Sequence, residues 1–251
     1  MGPVADPKRV LGTFLSGLSS LLFPRRCAIC REPLAGADLF EICGGCKSGL
    51  SLQPEHSCRV CAAPIDGEVA QAGIITCGRC RTDMPHFDMT FCGMRYEGKS
   101  RDMVHSFKFD GRARLAGILS SVLCVQLYQN EEAHKADMVL PVPLHRKRLF
   151  DRGYNQSYLL ACEVGMALSI PVVTGLLVRP KYTMPQSSQT RAERKENIKN
   201  AFSVERPAEV EGKTVLLVDD IMTTGATLSE AAKTLKKNGA ATVMCAVAAR
   251  A

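Results

Sequence analysis

The chain has 251 residues, of which 46% are hydrophobic and 23% charged, enough for one large domain or a medium domain with a small one. No apolar run reaches the roughly 20 residues of a membrane span, so the composition indicates a soluble globular protein and argues against a membrane-spanning one. The net charge of +7 at pH 7 is compatible with phosphate or nucleic-acid ligands, and the absence of Trp argues against a broad stacking platform for single strands.

The first predicted element lies in the stretch KRVLGTFLSGLSSLLFP, which has the basic start and apolar middle of a secretory signal. No small-residue cleavage pattern follows it, and the next residues are RRCAIC. Its apolar residues recur on one helical face: Leu11, Phe14, Leu15, Leu18 and Leu22. We therefore expect a packed amphipathic helix in a cytoplasmic protein, with contact to a membrane surface as the alternative.

Eight of the twelve cysteines then form four Cys-x-x-Cys pairs in the first third of the chain. Two thiols at this spacing can bind one tetrahedral zinc, and two such pairs complete a four-cysteine site. Pairing in chain order predicts one site from Cys27, Cys30, Cys43 and Cys46 and a second from Cys58, Cys61, Cys77 and Cys80. Interleaved pairing is the alternative, and disulfides are disfavoured without a secretory signal. Because four thiolates leave no position open for a substrate, we expect about two structural zinc ions per chain.

Predicted strands and helices alternate from residue 89 onward. MTFCGMRYEG, ADMVLPVP, TVLLV and ATVMCAVAA are typical of strands, while LAGILSSVLCVQLYQ and YNQSYLLACEVGMALSI are typical of helices. This alternation predicts an α/β fold, a parallel sheet with helices on both faces. We place the domain boundary after residue 88, so that residues 1–88 hold the amphipathic helix and a double zinc ribbon and residues 89–251 hold the α/β domain.

A cation-rich loop flanked by prolines is predicted after the second of these strands, in PVPLHRKRLFDRGYNQS. Pro141 and Pro143 restrict its backbone. Arg146 and Lys147, together with main-chain N–H groups, could hold a pyrophosphate group. The alternative is a basic loop that is only solvated.

The polar stretch from Arg179 to Phe202 is only weakly periodic, as are the functional lids of compact domains. Closing such a lid excludes water from a reactive ligand. We therefore predict a catalytic role for Arg191 and Arg194, which with Lys195 would fold over an anionic ligand.

The most informative stretch is VLLVDDIMTTGATLSEA, in which an apolar strand ends in two carboxylates and a Thr/Gly turn leads into a helix. A strand-to-helix turn directs main-chain N–H groups and the positive helix end at one point, which favours an anion. Thr227 and Glu230 have the spacing of a capping box. Acidic residues beside an anion site would repel the anion unless they bind another part of the same ligand. The hydroxyls of a ribose, with a divalent cation nearby, are the natural candidates.

This composite resembles the signature with which type I phosphoribosyltransferases bind 5-phosphoribosyl-1-pyrophosphate (PRPP). The resemblance implies that Asp219 and Asp220 hold the ribose hydroxyls. It also implies that the turn cradles the 5′-phosphate, with these residues: Thr223, Thr224, Gly225, Ala226 and Thr227.

Over nearly its whole length the chain resembles the ComF/GntX family of competence-related, phosphoribosyltransferase-like proteins. The shared stretches are LLFPRRCAIC with its Cys pairs, SFKFDGR, PVPLHRKRLFDRGYNQ, QSSQTRAERKENIKNAF and VLLVDDIMTTGAT. The resemblance implies an N-terminal zinc ribbon, a phosphoribosyltransferase-like sheet and a link to DNA uptake in natural transformation. Lys108 matches a lysine of the family without an assigned role.

Two classes of function follow. In the first, an acceptor of unknown identity attacks the anomeric carbon of PRPP, with Mg²⁺ neutralising the departing pyrophosphate. In the second, the protein does no chemistry but senses PRPP or binds single-stranded DNA through phosphate contacts at its basic residues. These two classes of function predict the following partners: PRPP, single-stranded DNA, a second copy of the chain and the DNA-uptake machinery.

Overall fold

The computed structural model describes residues 26–34, 42–65, 75–182 and 191–251, and for residues 191, 192, 194 and 195 it describes the main chain only. The amphipathic helix predicted before residue 25 lies outside these residues. The chain divides into two compact units, residues 1–49 and residues 50–251. In the first unit, the five-residue helix α1 (Gly44–Ser48) begins directly after Cys43 and carries the buried Cys46.

The second unit is built on a parallel sheet of four strands in the order β1-β6-β5-β2, as the alternation predicts. A separate antiparallel pair, β3 and β4, lies outside it. The strands are β1 (Met89–Arg95), β2 (Met138–Pro141), β3 (Leu177–Val178), β4 (Ser203–Val204), β5 (Thr214–Met222) and β6 (Thr242–Arg250). Residues Val215 to Val218 of β5 are all fully buried, which matches a strand covered on both faces.

The helices of this unit are α2 (Gly78–Thr82), α3 (Gly98–Phe109), α4 (Leu115–Tyr128), α5 (Arg146–Arg152), α6 (Gln156–Leu168), α7 (Arg191–Ile198) and α8 (Ala226–Lys237). Some of them cover the sheet, which has helices on both faces. Helices α4 and α6 pack against each other and against strands of the sheet. The buried side of α8 belongs instead to the core that includes Val215 and Leu217. Because alternate residues of a strand point to opposite faces, Leu216 and Val218 face the other layer.

The register of the strands places the acid pair at one edge of this sheet. Pro141, the last residue of β2, pairs with Val218, and Val142 donates its N–H to the Val218 carbonyl. Asp219 and Asp220 therefore follow the last residue of β5 that is paired to β2. In a parallel sheet this carboxyl edge is where ligands bind.

The second set of cysteines shares the core of the sheet. Cys58, Cys61 and Cys80 belong to the same hydrophobic cluster as Leu217 and Leu228. The Thr90 hydroxyl on β1 donates to the Val60 carbonyl at 2.7 Å, and the Thr90 N–H donates to the Arg59 carbonyl. The domain boundary that we place after residue 88 remains a prediction. In the structure, the second set of cysteines belongs to the same compact unit as the sheet, residues 50–251.

Two local features differ from expectation. The basic stretch after β2 is not a loop but forms the seven-residue helix α5. His145 caps this helix, because its ring nitrogen accepts a hydrogen bond from the Lys147 N–H. Helix α8 begins at Ala226, so Thr227 lies inside it and forms no capping box; the Glu230 carboxylate accepts from the Asn200 N–H instead. Among the described residues, no helix combines the length and the apolar character needed to cross a membrane.

Candidate functional site

The two adjacent carboxylates on β5 are held in different ways. Lys108, in the last turn of α3, places its Nζ 3.1 Å from each oxygen of Asp220, whose side chain is almost completely buried. Asp219 instead accepts from the Ser157 hydroxyl at 2.8 Å and from the Asp220 N–H at 2.9 Å, both at Oδ1. Burial, and then the charge of Asp220, raise the pKa of Asp219 to about 6, although Lys108 and the Ser157 hydrogen bond oppose this shift.

The segment before α6 positions both partners of the acid pair. Asn155 caps α6 by accepting from the Ser157 N–H, and its amide donates to the Val142 carbonyl at 3.1 Å. The Tyr154 hydroxyl donates to the Phe107 carbonyl, next to Lys108. This segment therefore joins the end of β2, the end of α3 and the carboxylates. The sequence showed only that these polar residues lie at the start of a predicted helix, and nothing in it showed which carboxylate each side chain would meet.

The turn after β5 leads directly into the N-terminus of α8, the end of a helix that favours an anion. Gly225 has φ of +80°, a left-handed conformation that other residues adopt at a cost, and it is the N-cap of α8. The Ala226 N–H donates to the Thr224 hydroxyl at 3.3 Å. Helix α8 has 12 residues, so its positive end adds to the N–H groups of the turn.

The cations predicted to bind pyrophosphate lie on α5. Arg146 and Lys147 are exposed, and the Lys147 ammonium lies 5.1 Å from the centre of the Tyr182 ring. Besides Lys108, Arg179 also interacts electrostatically with the acid pair, and the sequence analysis did not single out this residue. Burial and the nearby Arg148 lower the pKa of Arg179 to about 10, and the Asp219 carboxylate opposes that shift.

The predicted lid contains helix α7, which carries Arg191 and Arg194. The side chains of these two residues lie outside the described part of the structure, so their catalytic role stays a prediction. The end of the stretch is anchored, because Ile198 and Phe202 are buried in the core. The Arg179 guanidinium lies over the Phe202 ring, with its central carbon 5.4 Å from the centre of that ring.

The cysteines group in chain order, as predicted. Within each set of four, the sulfur atoms all lie within 4.8 Å of one another. Cys30 and Cys43 have sulfurs 3.6 Å apart, and Cys61 and Cys77 have sulfurs 3.7 Å apart. A tetrahedral site with Zn–S bonds of about 2.3 Å has sulfur–sulfur edges of about 3.8 Å, whereas a disulfide is about 2.05 Å long. All twelve cysteines are free thiols.

The surroundings of the sulfurs favour a cation. In the first set, burial alone would raise the pKa of Cys27, but main-chain N–H groups, chiefly that of Cys43, lower it to about 6. Burial raises the pKa of Cys46 in the same set to about 12. In the second set the same division recurs, with the pKa of Cys77 lowered to about 7 and that of Cys80 raised by burial. Four sulfur atoms at these distances suit a tetrahedral divalent cation, and both clusters fit structural zinc.

Comparison with family models agrees with both parts of the chain. Residues 18–81 match the double zinc ribbon domain, and residues 155–251 match the phosphoribosyl transferase domain. The second match contains Ser157, Arg179, the acid pair and the turn. Lys108 lies before it.

Curated relatives cover most of the chain. The DNA utilization protein YhgH of Shigella flexneri is 32% identical over 226 residues, which are 89% of this chain and 96% of the relative. Competence protein F of Haemophilus influenzae is 31% identical over 221 residues, covering 86% and 93%. Competence protein ComFC of Bacillus subtilis is 27% identical over 204 residues, covering 80% of each chain.

Proposed function

The chain belongs to the ComF family of phosphoribosyltransferase-like proteins, and on that premise we propose that it binds Mg²⁺–PRPP at the carboxyl edge of its sheet. The observation that carries the proposal is the sequence of features at the end of β5: two carboxylates, then a left-handed Gly225, then the N-terminus of α8. Each offers the chemistry that one part of PRPP requires, and they adjoin along the chain.

The ribose hydroxyls are assigned to the acid pair. Carboxylates accept hydrogen bonds from vicinal hydroxyls, and charge-assisted bonds of this kind are the stronger ones. Lys108 balances the charge of Asp220 in the free protein, so that two adjacent carboxylates can lie side by side. When Mg²⁺ accompanies the ligand, it adds positive charge at the pyrophosphate, and the carboxylates are the oxygen donors that such a cation prefers.

The 5′-phosphate is assigned to the residues Thr223 to Thr227, where main-chain N–H groups, threonine hydroxyls and the helix dipole combine. The pyrophosphate is assigned to Arg146 and Lys147, which follow the carboxyl end of β2 on α5. Arg179 joins them in this role, because it is buried and the charge of Asp219 favours its protonated form.

The test is calorimetry with Mg²⁺–PRPP. Replacing both Asp219 and Asp220 by Ala should weaken binding at least tenfold, about 1.4 kcal/mol. Asp102→Ala removes an exposed carboxylate from α3 and serves as the control that should leave the affinity unchanged. Equal affinities for wild type and the double variant would contradict the assignment.

If the protein is a transferase, an acceptor atom bonds to the anomeric carbon while the bond from that carbon to pyrophosphate breaks. Pyrophosphate leaves with the electron pair, and the acceptor loses a proton. Release of pyrophosphate from PRPP, measured in the presence of each nucleobase or of DNA, distinguishes this from binding alone. The names of the relatives point to DNA utilisation and competence, and we extend that physiological role to this chain.

Binding of single-stranded DNA is the second candidate, and the surface of α5 favours it. No residue of this helix is buried, and Phe150 is 90% exposed. The Arg152 guanidinium lies 5.4 Å from the centre of the Phe109 ring, which is itself exposed. Cations beside exposed rings suit phosphates and stacked bases together, although the composition predicted phosphate contacts alone.

Anisotropy titrations of labelled oligothymidine at several salt concentrations test this candidate. Phosphate contacts give an affinity that falls as salt rises. Phe150→Ala should weaken binding if bases stack, whereas Met166→Ala, which removes another exposed apolar side chain from a different helix, should not. Wild-type protein that fails to bind at low salt would leave PRPP as the sole proposed ligand.

A further inference from the structure

The second cysteine site touches the turn that is assigned to the phosphate. Arg79 lies between Cys77 and Cys80, within the five-residue helix α2. Its guanidinium Nη2 donates to the Thr224 carbonyl at 3.1 Å, across 145 positions of the chain. A residue enclosed by two zinc ligands thus binds the main chain of the turn.

A second contact joins the same two regions on the other side of the turn. Arg250 is 6% exposed, and its Nε donates to the Cys61 carbonyl at 2.9 Å. Its Nη1 donates to the carbonyl of Met222, the last residue of β5, at 3.2 Å. The two arginines therefore hold the carbonyl groups on either side of Thr223.

The orientation of these carbonyls matters for an anion. In a trans peptide the C=O and the following N–H point in opposite directions. Because the Thr224 carbonyl faces Arg79, the Gly225 N–H points away from the cysteine site, and the carbonyl is kept from facing the phosphate. An anion site made of main-chain N–H groups requires this orientation.

We propose that Arg79 is a positioning residue for the phosphate turn and that, through Arg79, zinc in the second cysteine site strengthens the binding of Mg²⁺–PRPP. This inference rests on the proposed function. The ion fixes the main chain on both sides of Arg79, so its loss releases the Arg79 contact with the Thr224 carbonyl, whereas Met222 stays held by its pairing with Arg250 in the sheet. Coupling between two binding sites is reciprocal, so PRPP must retain zinc in the second site by the same factor.

The first experiment compares variants by calorimetry with Mg²⁺–PRPP. Arg79→Ala should weaken binding by about fivefold to tenfold, the low end of typical coupling between sites. Arg79→Lys, which keeps a charged donor, should recover part of that loss. The matched control is Arg81→Ala on the same short helix, because Arg81 donates to the Thr76 carbonyl and not to the turn. Arg79, Thr224 and Gly225 also line a cavity of about 240 Å³, so replacing the Arg79 side chain disturbs no tightly packed core.

The second experiment needs no variant. Zinc occupancy of the full chain is measured at equilibrium in competition with a coloured chelator, with and without PRPP. We expect two zinc affinities, one for each site, of which PRPP raises only one, and we expect Arg79→Ala to abolish that effect while zinc content without chelator stays at two per chain.

The outcomes separate the two proposals. Wild-type protein that does not bind Mg²⁺–PRPP overturns the proposed function itself. Wild-type protein that binds it, with both zinc affinities unaffected by PRPP and with Arg79→Ala binding equally well, overturns the coupling and leaves the function standing.

Discussion

At the scale of single residues, Asp219 and Asp220 differ in how their charges are balanced. Asp220 has Lys108 beside it, and Asp219 has a neutral hydroxyl donor and a pKa raised to about 6. Between the ordinary value of 3.8 and about 6, folded Asp219 keeps a proton that the unfolded chain loses, so its contribution to stability declines as pH rises through that window. The ligand requires the ionised form, which dominates above about pH 6.

This raised pKa predicts that Mg²⁺–PRPP affinity falls as the pH drops below about 6. From Asp219 alone, the decrease between pH 8 and pH 5 should be about tenfold, because at pH 5 about one carboxyl in ten is ionised. Calorimetry across this range measures it. The ligand phosphates titrate in the same pH range. The Asp219→Asn variant, measured in parallel, therefore gives the part of the pH dependence that comes from the ligand. Identical pH profiles for the two proteins would contradict the role of Asp219.

The Lys108–Asp220 pair predicts a large coupling in stability. Lys108→Met leaves a nearly buried carboxylate without its cation, and we expect the free energy of unfolding to fall by about 2–4 kcal/mol. The double variant Lys108→Met/Asp220→Asn should regain most of this loss, since no unpaired charge remains. Denaturant unfolding of the full cycle gives the coupling energy, and additive losses would show that the pair is only a surface contact.

Lys108 also shows what the sequence could not reveal at this scale. The acid pair and its turn were recognisable because strand, carboxylates, glycine and helix are contiguous. Lys108 lies 112 positions away from Asp220, and the contact exists only because α3 ends where β5 ends. Arg179 was hidden for a similar reason, since Asp219, whose charge acts on it, lies far away in the chain.

At the scale of elements, the strand-to-helix turn depends on the backbone of Gly225. An added Cβ at this position would meet its nearest atoms at 3.7 Å, which is ordinary contact, so strain comes from φ alone. Gly225→Ala should therefore cost about 1–2 kcal/mol of stability and weaken Mg²⁺–PRPP binding. Urea unfolding and calorimetry measure the two effects.

Gly117→Ala is the control for this prediction. Gly117 lies on the exposed side of α4, with nothing within 4 Å of an added Cβ. Alanine there should stabilise the helix by about 0.5–1 kcal/mol and leave ligand binding unchanged. If both substitutions changed stability in the same direction, the left-handed conformation of Gly225 would not be the reason.

Helix α5 is the main element that the sequence did not predict. Helices are recognised by apolar residues at helical spacing, and that spacing reflects burial. None of the residues of α5 is buried, so the stretch HRKRLFDR has no apolar face to detect. The other long helices, such as α4 and α6, each bury seven or more residues and were predicted nearly to their ends.

At the scale of the whole molecule, the two cysteine sites should differ in what they stabilise. Cys46 and Cys80 are the fourth ligands of their sets and both are buried, but Cys46 belongs to the unit 1–49 and Cys80 to the core of the sheet. Each Ser variant should reduce zinc from about two to about one per chain. Cys80→Ser should lower the melting temperature of the sheet by roughly 10 °C or more, whereas Cys46→Ser should leave it nearly unchanged.

Elemental analysis and calorimetric melting of the two variants, measured together, test this difference. Equal losses of sheet stability would show that the first site also supports the sheet. The sequence predicted the number of sites and their ligands, because Cys-x-x-Cys spacing is local. It did not predict that one site shares a core with the sheet, because that depends on how distant segments pack.

The strand order has a consequence for synthesis on the ribosome. Strand β6 lies between β1 and β5 in the sheet, although it follows both in the chain. Until Thr242–Arg250 has left the ribosome, β1 has no neighbour in the sheet and β5 can pair only with β2. The nascent protein thus carries two unpaired strand edges, which attract other chains. A pause in translation before β6 should therefore increase aggregation more than a pause before β5.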